Sequence, residues 1–448
     1  MDKIPAIDNS SAESGTKLSQ GNNERDEAFA ELERGVYASL ETYSNVHRGS
    51  GHNSMVSTYL FEHARDIVLE YLGLNKSRYV VIFCTPARAE AFKAQLKTGS
   101  YQIVSSQEIG LPLGVRALAI KRRNLPGGPP SQAGGGTTRL VSRDWVIWAN
   151  SPDKFEAGTP AIINIIAFTK ALKLIRYFGN DIFSCETAKK LTAVEILRQD
   201  ELIDYSGHKL LEELRETLIG RNLIVPTAAG ARPYINLDNA ASTPTFIPVW
   251  KTVCQTWRQS GKVKQNIINE VRSVCAEVLG APSTEFDVIF TSNTTEAINL
   301  AAESLHVEFG PGNDSVVLNT LLEHNSNDLP WRMHKHISLI RLQIDNEGFI
   351  DFNELETFLI DYNQRGIHGK ERIRIVAVSG ASNVLGVFND LKEIGRIVHQ
   401  YGARLLVDAA QMVAHRKVNM ERCGIDYLAF SAHKVYAPFG AGVLVARK

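Results

Sequence analysis

The chain has 448 residues, enough for two or three ordinary domains or for one large α/β enzyme subunit with additional parts. Its composition, 44% hydrophobic and 22% charged, is typical of a globular protein, and no stretch approaches the roughly 18 uninterrupted apolar residues of a membrane span. Lysine plus arginine and aspartate plus glutamate balance at 49 each, so the charge gives no support for nucleic acid or an anionic membrane as a partner.

The cysteines are scattered along the chain and form no CxxC pair. This pattern fits reduced thiols in a cytoplasmic protein better than a disulfide framework or a zinc site. We therefore expect a cytoplasmic protein without a metal centre. The five residues are Cys84, Cys185, Cys254, Cys275 and Cys423.

The first third of the chain mixes polar segments with apolar ones. Residues 1–28 are polar and lack the apolar core of a signal peptide, so we predict a disordered leader. Apolar residues at helical spacing predict a helix over Tyr59–Leu72, and the apolar run Tyr79–Cys84 predicts a buried strand. A glycine- and proline-rich loop, Pro126–Gly136, precedes a helix predicted over Pro160–Arg176, with Thr159 as a candidate cap. His47, Arg48 and His52 fit no standard ligand spacing for a metal or phosphate site and are interpreted as loop residues.

The rest of the chain divides into a connector and a second body. Residues 181–232 are charged and helix-prone, which predicts a helical connector after a first body at 29–180. From 233 to 448, short strand-like runs alternate with helical segments, a pattern that predicts a parallel sheet covered by helices.

The two bodies share a short segment of similar sequence. Ser105–Arg122 aligns with Ser431–Lys448 without a gap, so that Pro112 falls on Pro438 and Glu108 falls on Lys434.

Polar residues collect after two apolar runs of the second body. Asp408 and Gln411 follow one run, and Ser431, His433 and Lys434 follow another. Ligands of open α/β sheets bind at the carboxyl ends of strands. A carboxylate that holds a proton on a pyridine nitrogen, with a lysine that binds an aldehyde as an imine, is what pyridoxal phosphate (PLP) requires. Taken singly, Asp408 is better explained as a helix cap and Lys434 as a solvated surface residue, whereas the ordered set of segments favours the cofactor site.

The second body resembles cysteine desulfurases and related class V aminotransferases over Tyr234–Lys448. The segments that carry the resemblance occur in the order of the family: YINLDNAASTP, FTSNTTEAINLAA, EHNSNDLPW, SGASNVLGVFNDLKEI, LLVDAAQMVAH and FSAHKVYAPFGAGVL. The resemblance implies the aspartate-aminotransferase-like PLP fold, an α/β architecture with a mainly parallel sheet and flanking helices.

The resemblance also implies a role for each matched residue. Lys434 would form the Schiff base with PLP, Asp408 would hold the pyridine nitrogen, and His324 would stack on the ring and assist proton transfer. Asn383 and Gln411 would lie near the ring hydroxyl. The phosphate would be bound by Thr295, Ser431 and His433, with Thr294 as a further candidate, at the N-terminus of a helix. The alternatives are that Thr294 and Thr295 only cap that helix and that His324 is a core histidine.

Two features depart from the family. The phosphate turn usually carries Gly-Ala where this chain has Asn293-Thr294. The resemblance implies a small C-terminal domain, a substrate-carboxylate arginine and, in desulfurases, a cysteine-bearing loop after the lysine strand, whereas the sequence ends at Lys448. We expect that these parts are lacking and that none of the five cysteines takes the sulfur-accepting role. We therefore expect weak PLP binding and slow turnover from a truncated chain.

The first body resembles pieces of the same family. YSNVHRGSGHNSM looks like an early loop, and GGGTTRLV and DKFEAGTPAIINIIAF look like segments that follow the lysine strand. Because Glu108 cannot form an imine, we expect a degenerate, catalytically inactive copy.

The sequence thus predicts a PLP-dependent enzyme that acts on an amino acid, either a cysteine desulfurase-like lyase or an aminotransferase. The alternative is a truncated or non-catalytic PLP-fold protein that serves as a binding scaffold. The partners expected are a small amino-acid substrate and either a second copy of the chain or, within one chain, a pseudo-dimer of the two bodies. In that pseudo-dimer Gly134–Thr138 would reach the phosphate, with Thr137 or Thr138 as the donor.

Overall fold

The computed structural model describes residues 10–46, 51–184, 191–199, 201–310 and 314–448. His47, Arg48 and Cys185 lie outside the described residues. In the described ranges, no helix combines the length and the apolar character that crossing a membrane requires. The cysteines within these ranges, Cys84, Cys254, Cys275 and Cys423, are free thiols.

The first half combines long helices with small antiparallel sheets. Its elements are α1 (Ser10–Glu41), α2 (His52–Tyr71), β1 (Tyr79–Cys84), α3 (Pro86–Lys93), β2 (Tyr101–Ser105), β3 (Arg116–Lys121), β4 (Thr138–Val141), β5 (Val146–Trp148) and α4 (Ile162–Phe178). Helices α1 and α2 both pack on α4, whose apolar residues form the centre of one core with those of β1 and β3. The strand predicted at 79–84 and the two helices predicted near 59–72 and 160–176 are therefore present.

The leader predicted to be disordered, 1–28, is helical from Ser10 onward. The helix continues to Glu41, and Phe29, Leu32, Val36 and Leu40 bury one face of it in the core. Propagating an existing helix costs much less than starting one, so the polar turns extend from this packed end.

The connector predicted at 181–232 is helical only in part. It contains α5 (Ala193–Leu197), α6 (Gly207–Glu216) and a hairpin of β6 (Ile224–Thr227) and β7 (Gly230–Pro233). The turn of the hairpin is closed by Gly230, which has a φ of +93°, and by the Thr227 hydroxyl, which donates to the Gly230 carbonyl. A glycine at this left-handed position explains why the chain turns back here instead of continuing as a helix.

The second half contains the elements α7 (Ile247–Trp257), α8 (Gly261–Val278), β8 (Phe286–Thr291), α9 (Thr294–Phe309), β9 (Ser315–Thr320), α10 (Leu329–Arg332), β10 (Ile337–Leu342), α11 (Phe352–Leu359), β11 (Arg372–Ser379), α12 (Leu391–Gln400), β12 (Arg404–Asp408), α13 (Met420–Cys423), β13 (Tyr427–Ser431) and β14 (Gly442–Arg447). In the described residues they form a seven-stranded sheet in the order β10-β9-β11-β12-β13-β14-β8, parallel from β10 to β13, with β14 antiparallel to both of its neighbours. The predicted α/β fold with a mainly parallel sheet is confirmed.

The parallel strands place their carboxyl ends along one edge. Strands β9, β11, β12 and β13 end at Thr320, Ser379, Asp408 and Ser431. Apolar clusters cover both faces of the sheet, so the strands are rigid supports for the loops that follow them.

The internal similarity between the two bodies is also present in the backbone structure. Strands β2 and β3 occupy the aligned positions of β13 and β14, residue for residue, and pair in the same antiparallel register: Ser105 opposes Arg116 as Ser431 opposes Gly442. Strand β1 then pairs with β3 as β8 pairs with β14. Among its described residues, the first half therefore has the three-stranded part of the large sheet that includes the lysine strand, but none of the parallel strands.

Candidate functional site

A cavity of about 360 Å³ opens at the carboxyl edge of the parallel strands, next to the N-terminus of α9. This volume is within the range of small-molecule sites. All the site residues predicted from the sequence line it: Thr294, Thr295, His324, Asn383, Asp408, Gln411, Ser431, His433 and Lys434.

The N-terminus of α9 forms one end of the cavity. Asn293 caps the helix, with its side-chain oxygen accepting the N–H of Glu296 at 2.9 Å. The Ser431 hydroxyl lies 2.6 Å from both the N–H and the hydroxyl oxygen of Thr294, so the strand β13 and the helix α9 meet here. Hydroxyls grouped at the positive end of a helix dipole are suited to an anion.

His324 lies beside this turn. Its Nδ1 accepts the N–H of Ser326 at 3.2 Å and is 2.9 Å from the Ser326 hydroxyl, which also contacts the Thr295 hydroxyl at 2.6 Å. Since Nδ1 is an acceptor, a neutral ring carries its hydrogen on Nε2. The hydroxyl chain from His324 to Thr295 fixes the ring relative to α9.

Glu323, which the sequence reasoning did not single out, lies half-buried directly before His324. Its carboxylate accepts hydrogen bonds from the Ser379 hydroxyl at 2.7 Å, the Ser379 N–H at 3.0 Å, Asn327 Nδ2 at 2.7 Å and the Thr320 hydroxyl at 2.9 Å. Burial nevertheless raises the pKa of Glu323 to about 7, against the effect of these donors. This carboxylate ties the His324 loop to the end of β11. Only its place in the EHNSN segment marks it in the sequence.

Asp408 ends β12 and is buried. Its Oδ1 accepts the N–H of Ala410 at 3.0 Å, and burial raises the pKa of the carboxyl, an effect that the charge of Lys434 opposes. Gln411 donates from Nε2 to the Ala240 carbonyl at 2.7 Å. Asp408 and Lys434 therefore lie on neighbouring strand ends and interact electrostatically.

The lysine turn is held by the loop around Thr243. Burial, assisted by the charge of Lys434, lowers the pKa of His433 to about 3, so its imidazole is neutral. Tyr436 has a φ of +65°, and its N–H donates to the Thr243 hydroxyl at 2.7 Å while its carbonyl accepts the Thr245 hydroxyl at 2.8 Å. The aligned position of the first half is Gly110, with a φ of +82°. A tyrosine in a backbone conformation that suits glycine is a strained feature, here located two residues after Lys434.

Residues of the first half line the other side of the same cavity. They include Gly135, Gly136, Thr138, Gly158 and Thr159. A Cβ atom at Gly135 would be 2.8 Å from His324 Cε1, so the close approach of this loop requires glycine.

The hydroxyls of the first half are arranged differently from the prediction. Thr137 is buried, and its hydroxyl donates to the Gly134 carbonyl at 2.8 Å, so it closes its own loop, while Thr138 lines the cavity. Thr159 is not the cap of α4, because Ala161 occupies that position. Instead, Thr159 lines the cavity and accepts Asn45 Nδ2 at 3.3 Å. Sequence spacing alone does not reveal this role, because Asn45 and Thr159 are distant in the chain.

This set of groups suits a planar ligand with an anion at one end and a basic ring nitrogen at the other. The α9 N-terminus with its hydroxyls faces the first, and Asp408 the second, while Lys434 supplies an amine. These features match the predicted cofactor, PLP.

The chain is similar to known proteins of one family. The family model "Aminotransferase class-V" matches residues 93–218 and 235–448, and so includes part of the first half. A cysteine desulfurase of Dickeya dadantii (strain 3937) is 40% identical over 184 residues, which cover 40% of this chain and 42% of that protein. A probable cysteine desulfurase of Methanothermobacter thermautotrophicus is 35% identical over 227 residues, 48% of this chain and 53% of that protein. The chain spans about half the length of the curated relatives it matches.

Among solved structures, the apo structure of cysteine desulfurase from Thermococcus onnurineus NA1 is 29% identical. The match covers 53% of this chain and 57% of that chain, with a TM-score of 0.44.

Proposed function

Because the chain belongs to the class-V aminotransferase family, we propose that it binds PLP in this cavity and acts on the amino group of an amino acid. The reaction is that of a cysteine desulfurase-like lyase or that of an aminotransferase. The observation that supports this best is the convergence of Lys434, Asp408 and the α9 N-terminus on one cavity of about 360 Å³.

When bound, PLP would supply an aldehyde that takes up an amine and a ring that withdraws electrons. The Lys434 amine would hold the aldehyde carbon and move a proton at the substrate. The Asp408 carboxylate would keep a proton on the ring nitrogen, and His324 would lie against the ring. The hydroxyls of Thr295 and Ser431 and the neutral His433 would bind the phosphate.

We further propose that the two halves of one chain form a pseudo-dimer produced by an internal duplication. The support is the shared register of β1-β3-β2 and β8-β14-β13, together with the first-half loops that line the cavity. The first half would then complete the site without carrying a lysine of its own. In its aligned turn, Glu108 occupies the position of Lys434, and its carboxylate accepts the N–H of Ser105 at 3.1 Å.

A PLP titration tests this proposal. We expect the full chain to develop an absorbance band in the region of about 400–430 nm, typical of PLP held by a lysine, and Lys434→Ala to lack it. Lys370→Ala, at an exposed position outside the cavity, is the matched control and should behave as the wild type. A band that persists in Lys434→Ala would refute the assignment of Lys434.

The same material separates the two reactions from the scaffold alternative. Formation of L-alanine together with sulfide from L-cysteine, with a thiol such as dithiothreitol as the reductant, supports a desulfurase. Conversion of an amino acid to its keto acid without sulfide, with a second keto acid as the amino acceptor, supports an aminotransferase. A bound cofactor whose spectrum does not respond to any amino acid would favour a non-catalytic binding protein.

A further inference from the structure

The N-terminal turns of α9 carry a polar stripe toward the first half of the chain. Asn293, Glu296 and Asn299 follow one another at intervals of three residues, which places them on one side of the helix. All three are buried, with relative exposures of 2%, 6% and 7%. Buried polar groups of this kind require partners.

The partners come from separate first-half segments. Asn293 Nδ2 donates to the carbonyls of Ala157 and Thr159, each at 3.1 Å. The Thr85 hydroxyl donates to Glu296 Oε1 at 2.8 Å. Asn299 exchanges two hydrogen bonds with the backbone of Ala133, accepting its N–H at 3.1 Å and donating to its carbonyl at 2.8 Å.

Each of these side chains is also bonded to the turn that would receive the phosphate. Asn293 Oδ1 caps α9, and Glu296 Oε2 accepts the N–H of Ser292 at 2.7 Å. Asn299 Nδ2 donates to the Thr295 carbonyl at 2.8 Å. One set of side chains therefore joins the anion-binding turn to the first-half segments that line the cavity.

We infer that this face of α9 is the docking surface for the chain's own first half, and that docking in turn positions the anion-binding turn. Asn293 is the central positioning residue, since its amide contacts both partners at once. This inference rests on the proposed function only in taking a phosphate as the ligand of the turn.

Asn293→Ser tests the inference, because serine caps helices as well as asparagine but has no amide to reach the two carbonyls. We expect the variant to bind PLP about tenfold more weakly, as the loss of two hydrogen bonds implies. We also expect faster hydrogen exchange over residues 131–160. Asn419→Ser is the matched control, because Asn419 caps α13 through the N–H of Arg422 and does not line the cavity.

A second pair of variants changes Thr85, the first-half partner of Glu296. Thr85→Val removes the hydroxyl that reaches Glu296 and should produce the same two effects, whereas Thr85→Ser keeps the hydroxyl and should restore wild-type behaviour.

The outcomes distinguish the proposed PLP binding from the docking of the first half on α9. If the wild type binds no PLP, the proposed function fails, and hydrogen exchange alone still decides whether Asn293 holds the first half. Unchanged exchange in Asn293→Ser overturns the docking claim, and faster exchange with unchanged PLP affinity overturns the coupling to the turn.

Discussion

Glu323 places a carboxylate in a half-buried position beside His324, where hydrogen bonds balance it. Four donors from the ends of β9 and β11 and from Asn327 surround it. Burial still raises its pKa from 4.5 to about 7. The native state therefore binds this proton more tightly than the unfolded chain, and the residue's contribution to stability depends on pH.

The sign of this dependence follows from the raised pKa. The stability contributed by protonated Glu323 is fully present below about pH 4.5 and is lost as the pH rises through about 7. We predict that the free energy of unfolding of the wild type, relative to Glu323→Gln, falls by roughly 1–3 kcal/mol between pH 5 and pH 7.5. Urea denaturation at both values measures it, with Glu303→Gln at an exposed site of α9 as the control. A difference independent of pH would contradict the assignment.

Several site residues could be predicted from the sequence, and others could not, for a physical reason. Asp408, Lys434 and His324 stand in local segments, each directly after a strand-like run or in a characteristic motif, so neighbouring residues identify them. Thr159 and the contacts of Asn293 depend on segments more than a hundred residues apart, which only the tertiary structure brings together. Of the two hydroxyls predicted from the sequence, that of Thr137 is used within its own loop, and Thr138 lines the cavity.

Among the elements, α2 supports the first-half side of the cavity through a buried ion pair. Arg65 binds Glu156 with two hydrogen bonds, at 2.7 and 2.8 Å, and donates to the Val81 carbonyl at 2.8 Å. Glu156 also accepts the N–H of Phe83 at 2.7 Å. The pair thus links α2, β1 and the segment that carries Gly158 and Thr159 into the cavity.

Removing one partner of this pair leaves a buried charge without compensation. We predict that Arg65→Met lowers the free energy of unfolding by about 3–5 kcal/mol, and that the double variant Arg65→Met with Glu156→Gln recovers part of this loss. Urea denaturation gives both values. Arg176→Met, which breaks an exposed pair with Glu70, should cost at most about 1 kcal/mol. Equal costs for Arg65→Met and Arg176→Met would show that the buried pair has no structural role.

The elements that sequence patterns predicted well are those with uninterrupted apolar runs. Strand β1 has the predicted bounds because all six of its residues are hydrophobic, and the strands of the second half follow similar apolar runs. The leader and the connector differ from the prediction because they are polar. Their helices and hairpin depend on packing at one end or on a single glycine, and periodicity does not detect either.

At the scale of the whole molecule, we propose that both halves of one chain build a single cofactor site. The glycine loop at Gly134–Gly136 approaches His324 and Thr295 so closely that side chains at Gly134 or Gly135 would collide with them. Lys434 lies in the other half. Each half therefore offers a position at which the site can be inactivated independently.

Mixing two inactive variants tests this claim most directly. Lys434→Ala lacks the lysine, and Gly135→Val places a side chain against His324, so neither should develop the band at about 400–430 nm with PLP. If each site is completed within one chain, co-expression of the two variants also yields no band. A band that returns on co-expression would show that the first half of one chain completes the site of another chain, and the two halves of one chain would then not form the site.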